Sequence, residues 1–288
     1  MVPRKQPRFG CTSRDCWRTV YSYHAHDIEL KLERVRADFG VRDASTITRS
    51  EIVDWLAAEA TKRKWRPASR NRYQSAFSLV FRVAVDNQKL ALNPAAGIQR
   101  LREDNQVERC LAPDEEKKLM KVVEERFAEY VPVLQLAIHT GVRTSELLRA
   151  QVGDYDPSTN KIRVRQKKVR NSSLFRYVPM TPIAVAAYEN LAAGKKTGDP
   201  LCSKLNGDAL QDTRYWFAPC AKEAGLVNLT WKSATRHTAA SRWVSRGVPL
   251  AAVSGFLGHG SIQMTMRYQH LMPENNDRAV EALMSFYN

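Results

Sequence analysis

The sequence predicts a mainly α fold carrying one small antiparallel β-sheet (α+β). Three observations support this. Apolar residues recur at three- and four-residue spacing along most of the chain. Between Gln151 and Val178 alone, the pattern switches to the two-residue alternation of strands. Residues that open and close helices stand at the ends of the periodic segments.

Taken in order, residues 1–10 are Pro- and Arg-rich and read as a loose N-terminus. From about Arg14 to Phe39 the pattern is helical, with Ile28, Leu32, Val35 and Phe39 on one stripe. Thr48-Arg49-Ser50-Glu51 has the form of a capping box, and Ile52, Trp55 and Leu56 follow on one face. A basic loop, Lys62-Arg63-Lys64-Trp65-Arg66, leads to Pro67, which suits the first turn of a helix striped by Tyr73, Phe77, Val80, Phe81 and Ala84. Asn93-Pro94-Ala95-Ala96-Gly97 stops it. A small helical bundle over 11–100 is expected. Residues 98–110 are polar and aperiodic, and 101–110 is placed as the linker to a second unit, 111–288.

That unit begins with Pro113-Asp114-Glu115-Glu116, acids at the positive end of a helix dipole. A helix from Val131 to about His139 ends in Thr140-Gly141, and another starts near Thr144. Gln151–Tyr155, Ile162–Arg165 and Phe175–Val178 alternate as strands. Helices resume near Pro182 and continue to Tyr287, broken at Gly194–Pro200 and Gly225–Asn228.

The net charge is +15 over 288 residues, with +8 inside residues 1–105 (20 basic, 12 acidic) and +7 beyond. A globular chain positive throughout suits a polyanion, and double-stranded DNA is the first candidate. Arg66, Arg70 and Arg72 at a helix start join Lys62, Arg63 and Lys64 as candidate phosphate contacts, although a solvated helix end is an equal reading. No apolar run approaches the ~18–20 residues of a membrane span. No apolar stretch follows the charged start, so a cytoplasmic location is expected. The cysteines at 11, 16, 110, 202 and 220 are scattered, and the Cys11/Cys16 pair has no second pair at finger spacing. Reduced thiols and no metal or cofactor follow.

Four local patterns could carry chemistry. Arg143 follows a Gly-containing turn, with Glu146 three residues on to orient it. Alone, that is a surface ion pair worth little. Arg236 lies in a stretch with one small-residue face, Lys232 to Ser241. Arg165-Gln166-Lys167-Lys168-Val169-Arg170 is a basic hairpin tip. Leu257-Gly258-His259 precedes Tyr268 by a nine-residue gap. A phenol of ordinary pKa about 10 is a poor nucleophile unless cations surround it.

In combination and order, these patterns resemble the tyrosine recombinase (phage integrase) family. Thr140-Gly141-Val142-Arg143-Thr144-Ser145-Glu146-Leu147 is similar to its first arginine box, and Arg236-His237-Thr238-Ala239-Ala240-Ser241 to its second. Arg176-Tyr177-Val178-Pro179 resembles the return strand of its lysine hairpin, and Leu257-Gly258-His259 through Tyr268-Gln269-His270-Leu271 its nucleophile box. The likeness spans about residues 45–275. It implies a helical core DNA-binding domain ahead of a catalytic domain. The implied catalytic set is Arg143, Lys167 (with Lys168 competing), Arg236, His259 and Tyr268, with Glu146 supporting. It also implies four protomers in the synapse and accessory DNA-bending proteins. The segment 274–288, with Ala279, Leu283 and Phe286 on one face, could dock on a neighbour or equally pack on its own domain.

One departure stands out. The second box usually reads His-x-x-Arg, and here Ser233 holds the histidine place. Lys232 could substitute only if the turn shifts by one residue. A hydroxyl cannot shuttle protons near pH 7 as imidazole does.

The implied reaction suits these residue types. Two arginines can bind the non-bridging oxygens of a phosphodiester, and their field should ease loss of the Tyr268 proton. A lysine can protonate the departing 5′ oxygen, and His259 can hydrogen-bond a phosphate oxygen. The expected activity is cutting and rejoining of duplex DNA through a 3′-phosphotyrosyl link. The alternatives are a catalytically weakened DNA binder and strand relaxation of the type IB topoisomerase kind.

Overall fold

The computed structural model describes residues 25–103, 109–166, 174–273 and Met284. The chain divides into two compact units after Asp104. No helix among the described residues is long and apolar enough to cross a membrane.

The first unit is helical. Helices α1 (Ala25–Phe39), α2 (Arg49–Arg63) and α3 (Pro67–Asp86) close on a core that includes Val35, Phe39, Ile52, Leu56, Phe77 and Phe81. Thr48 and Glu51 form the anticipated capping box, Thr48 N–H donating to Glu51 at 2.8 Å and Glu51 N–H to the Thr48 hydroxyl at 3.3 Å. Helix α2 ends where Lys64 turns left-handed, and Trp65 then stacks on Tyr73 with centroids 4.2 Å apart. This stack stiffens the basic turn between α2 and α3.

Helix α3 also carries a polar buried stripe of Arg70, Asn71 and Gln74. Arg70 donates to Gln74 at 2.8 Å and to the Gln99 carbonyl at 3.1 Å, and Asn71 exchanges bonds with the backbone of Leu101. Residues 98–101, at the start of the expected linker, are therefore strapped to α3. Buried carbonyls need donors, and these side chains supply them.

The second unit opens with α4 (Pro113–Phe127), where Glu115 folds back to accept from Ala112 N–H at 3.0 Å. Helix α5 (Val131–Thr140) is the central element. Its Val133, Leu134, Leu136, Ala137 and Ile138 are almost wholly buried, and it packs chiefly against α7 (Pro182–Ala192). A short α6 (Thr144–Leu147) precedes the sheet β1-β2-β3 (Tyr155–Asp156, Lys161–Arg165, Phe175–Pro179), antiparallel throughout. Ile162 faces Val178 and Val164 faces Arg176, so an arginine occupies an inward position on β3.

The first strand is shorter than the alternation over Gln151–Tyr155 suggested. Buried Asp154 accepts from Gln151 N–H at 2.9 Å and from Arg163 at 2.8 Å, and Gly153 takes φ +97°, so 151–154 is a turn. The helical break after α7 is also longer, running to α8 (Arg214–Glu223). Leu201, Cys202 and Leu210 are buried there in irregular chain around a turn at Gly207. A π-helical turn (Ser233–His237), α9 (Thr238–Ser245), α10 (Leu250–Leu257), α11 (Gln263–Met266) and a 3₁₀ turn (Gln269–Leu271) complete the unit. The candidate docking segment 274–288 lies outside the described residues apart from Met284.

Candidate active site

The site is assembled around the C-terminal end of α10. Three consecutive carbonyls there, of Phe256, Leu257 and Gly258, each accept from a different arginine. Arg176 Nε lies at 2.8 Å, Arg236 Nη2 at 2.6 Å and Arg143 Nη2 at 2.6 Å. The last carbonyls of a helix lack intrahelical partners and form the negative end of its dipole, so cations settle on them. Gly258 turns the chain at φ +62°, and a Cβ there would lie 3.0 Å from the Arg176 side chain.

Arg143 arrives through a second tight turn. Helix α5 ends at Gly141, φ +59°, where a Cβ would sit 2.9 Å from that of Ala239. Arg143 Nη1 then meets Glu146 at 2.8 Å. Glu146 also holds both terminal nitrogens of Arg176, at 3.0 and 2.7 Å, and accepts from the Arg143 N–H at 2.9 Å. Burial pushes the Glu146 carboxyl up, but the bonds and charges of Arg176 and Arg143 outweigh it and hold the carboxyl below its ordinary value. Glu146 is thus a buried anion that fixes two guanidinium groups.

Arg236 donates to the Gly141 carbonyl at 3.0 Å as well as to Leu257. Burial and the neighbouring Arg143 charge push it down to about 9, which leaves it cationic at neutral pH. It sits on the π-helical turn, and such single-turn π insertions mark many functional sites. The wider turn decides which neighbour accompanies it. Lys232 lines the cleft that Arg143, Arg236, His259 and Tyr268 share, and Ser233 does not. Ser233 is instead bonded to the Thr230 hydroxyl at 2.8 Å. The Lys232 ammonium is held below its usual value by desolvation and by Arg267, Arg236 and Arg143.

His259 Nδ1 pairs with the buried Thr265 hydroxyl at 2.7 Å. Burial, then Arg236 and Arg143, lower its imidazole to about 4, so it is neutral at pH 7. Tyr268 is only 1% exposed, among Ala240, Val244, Val253 and Leu257. Its hydroxyl meets His237 Nδ1 at 2.5 Å. The cations act in the expected direction, Arg236 and Arg267 both favouring loss of its proton, but they do not decide the outcome. Burial outweighs Arg236 and Arg267 and raises the phenol to about 12.

The cleft thus brings together Arg143, Arg236, His259 and Tyr268, with Lys232 in place of Ser233. The candidate lysines Lys167 and Lys168 lie outside the described residues. In the first unit, Lys62, Arg63, Lys64, Arg66 and Arg72 are exposed, with Lys62 and Arg63 paired to Glu59. Arg70 departs from expectation. It is buried and bonded within α3 and to residue 99, so no free guanidinium is offered to a phosphate.

Three site residues escaped the sequence reasoning. Arg176 was visible as a charge at an inward position of an alternating strand. Arg267 lines the cleft, acts on Lys232, His237, His259 and Tyr268, and its Nε has no hydrogen-bond partner among the described residues. The contact of His237 with Tyr268 had no signal in the spacing. Among the described residues, no group of three or more His, Cys, Asp or Glu could hold a metal ion.

Fixed guanidinium groups and a buried tyrosine thus line one cleft within a mainly α unit. Comparison with known proteins supplies the class. The chain belongs to the phage integrase family of tyrosine recombinases, whose model matches residues 109–275. Tyrosine recombinase XerC of Herpetosiphon aurantiacus is 34% identical over 155 residues, covering 52% of this chain and 49% of the relative, about half its length. XerC of Roseiflexus castenholzii is 27% identical over 246 residues, 80% of this chain and 76% of that one. In fold, the chain is similar to the Tn1549 transposon integrase in complex with circular intermediate DNA, with a TM-score of 0.73 at 20% identity over 93% of this chain and 98% of that one. It is also similar to a lambda integrase dimer bound to a COC′ core site, with a TM-score of 0.68 at 17% identity over 89% and 75% of the two chains.

Proposed function

We propose that this chain is a site-specific DNA recombinase that cuts and rejoins duplex DNA through a covalent 3′-phosphotyrosyl link on Tyr268. The observation that carries this is the shared cleft of Arg143, Arg236, Lys232, His259 and Tyr268. Five cations (Arg143, Arg176, Arg236, Arg267 and Lys232) gather against a single carboxylate, Glu146, in the interactions that define the site. Such a field suits a phosphodiester, whose transition state spreads negative charge over its non-bridging oxygens.

Arg143 and Arg236 would bind those oxygens, and His259 would donate one further hydrogen bond. Lys232 would supply the cation that the His-x-x-Arg pattern would have placed at 233. Lys167 or Lys168 would protonate the departing 5′ oxygen, because an alkoxide is a poor leaving group. The phosphotyrosyl bond conserves the energy of the broken one, so rejoining needs no nucleotide. Duplex DNA is the partner, as in the DNA complexes of the Tn1549 and lambda integrases. The exposed Lys64, Arg66 and Arg72 would meet its backbone, and a tetramer, as in lambda integrase bound to a Holliday junction, would form the synapse. Accessory DNA-bending proteins would assist assembly.

The test is a set of nicked duplexes tiled across the DNA flanking the gene. Wild type should trap a covalent adduct on one of them. Tyr268→Phe should abolish the adduct and leave affinity nearly unchanged. Tight binding without any wild-type adduct would favour a non-catalytic binder.

A further inference from the structure

The nucleophile poses a chemical problem that the arginines do not solve. Tyr268 is buried, and a phenol attacking phosphorus must lose its proton somewhere. Its hydroxyl has one close side-chain partner in the described structure, His237 Nδ1 at 2.5 Å, with the rings 6.0 Å apart and tilted by 50°. His237 reaches it because the π-turn ends at this residue, so that Arg236 and His237, adjacent in sequence, both line the cleft.

We propose that His237 holds Tyr268 in register and accepts its phenolic proton as the phosphodiester is attacked, resting on the assignment of Tyr268 as nucleophile. The step balances. The Tyr268 oxygen forms a bond to phosphorus, its proton passes to His237 Nδ1, and the bond from phosphorus to the 5′ oxygen breaks. The leaving oxygen takes a proton from a separate cationic acid. In rejoining, the His237 imidazolium returns the proton to the departing phenolate.

The surroundings of His237 bear on this transfer. The groups facing it are Lys232, Arg236, Arg267 and the Tyr268 hydroxyl, and Cys110 lies against its backbone carbonyl at 3.9 Å. Burial, then Lys232, Arg267 and Arg236, hold the imidazole down at about 4, so it is unprotonated and free to accept. With the phenol at about 12, transfer in the free protein is uphill. A phosphodiester bound by Arg236 and Lys232 offsets the lesser, charge-based part of what weakens His237, and attack itself acidifies the phenol.

The experiment uses the full chain and the flanking nicked duplex on which wild type traps an adduct, in single turnover from pH 6 to 9. His237→Asn is the informative variant, because its amide oxygen can replace Nδ1 as a hydrogen-bond acceptor yet takes no proton. The expected result is a loss of about 10²- to 10⁴-fold at pH 7. That loss should shrink about tenfold per pH unit as hydroxide takes over, with DNA affinity unchanged. Replacing the scissile 5′ oxygen by sulfur, which needs no acid, should leave the loss in place. A variant within about threefold of wild type with the same pH profile would overturn the proposal while leaving the recombinase assignment intact. No adduct from wild type on any duplex overturns both. Should His237→Asn fail to fold, nitrogen-15 spectra of wild-type histidines decide. Nδ1 must be unprotonated and Nε2 protonated, and the opposite tautomer rules the proposal out.

Discussion

Replacing Glu146 by Gln removes the one carboxylate that orients both Arg143 and Arg176. The side chain is 5% exposed and accepts four hydrogen bonds, three from guanidinium nitrogens and one from a backbone N–H. An amide keeps one acceptor oxygen and turns an NH₂ toward donors, so at least two bonds are lost. Arg176, itself 6% exposed, keeps one bond to the remaining oxygen and one to the Phe256 carbonyl but loses its charged partner. Removing one partner of a buried ion pair costs about 3–5 kcal/mol. Because burial already works against the Glu146 charge, the lower end, about 3 kcal/mol, is expected. Urea unfolding of the full chain, followed through the transition of the second unit, measures it.

The pH dependence has a definite sign. The folded carboxyl lies below its unfolded value, so its contribution is complete above the unfolded pKa, about 4.3, and is lost as pH falls through the folded value. The gap between wild type and Glu146→Gln should be constant from pH 7 to 5.5 and close in stronger acid. A loss below about 1 kcal/mol at pH 7, or a gap indifferent to acid, would refute the role of Glu146 as a buried hub.

Gly141→Ala combines a left-handed φ, about 1–2 kcal/mol, with overpacking against Ala239, about 1–3 kcal/mol, and should lower the melting temperature of the second unit in calorimetry. Lys232→Ala should slow adduct formation about ten- to a hundredfold, as loss of a charged hydrogen-bond donor does. Ser233→Ala should stay within about twofold, since Ser233 bonds Thr230 outside the cleft. Arg70→Met should destabilise the first unit by about 1–3 kcal/mol and leave the salt dependence of DNA binding unchanged. Arg66→Ala or Arg72→Ala should instead reduce the log–log salt slope by about 0.9 with little effect on folding.

Much of the fold was legible because periodicity reports burial. The stripes through Val35 and Phe39, through Phe77 and Phe81, and along 131–139 became core faces. The Thr48–Glu51 cap could be read because capping is local chemistry. The turn at 151–154 could not, because apolar alternation does not show that Asp154 will be buried to tie the chain to Arg163. In the site, Arg143, Arg236, His259 and Tyr268 were named from boxes of local context. The π-turn was not legible, so Lys232 could be named only as a conditional substitute for Ser233, and the contact of His237 with Tyr268 was missed. Helix spacing rules assume 3.6 residues per turn, and one inserted residue rotates everything before it. Arg70 failed for the opposite reason. A basic residue in a basic stretch looks like surface until the backbone it serves, the carbonyl of Gln99, is known.

The grip of three arginines on the carbonyls of residues 256 to 258 has an evolutionary reading. A main-chain oxygen is present whatever side chain a position bears, so point mutation cannot delete these acceptors. Drift through Leu250 to Phe256 can alter the scaffold's interior without unseating the cations, provided Gly258 still bends the chain. The vulnerable partners are the guanidinium groups and that one turn, and lineages that lose activity should show their first lesions there.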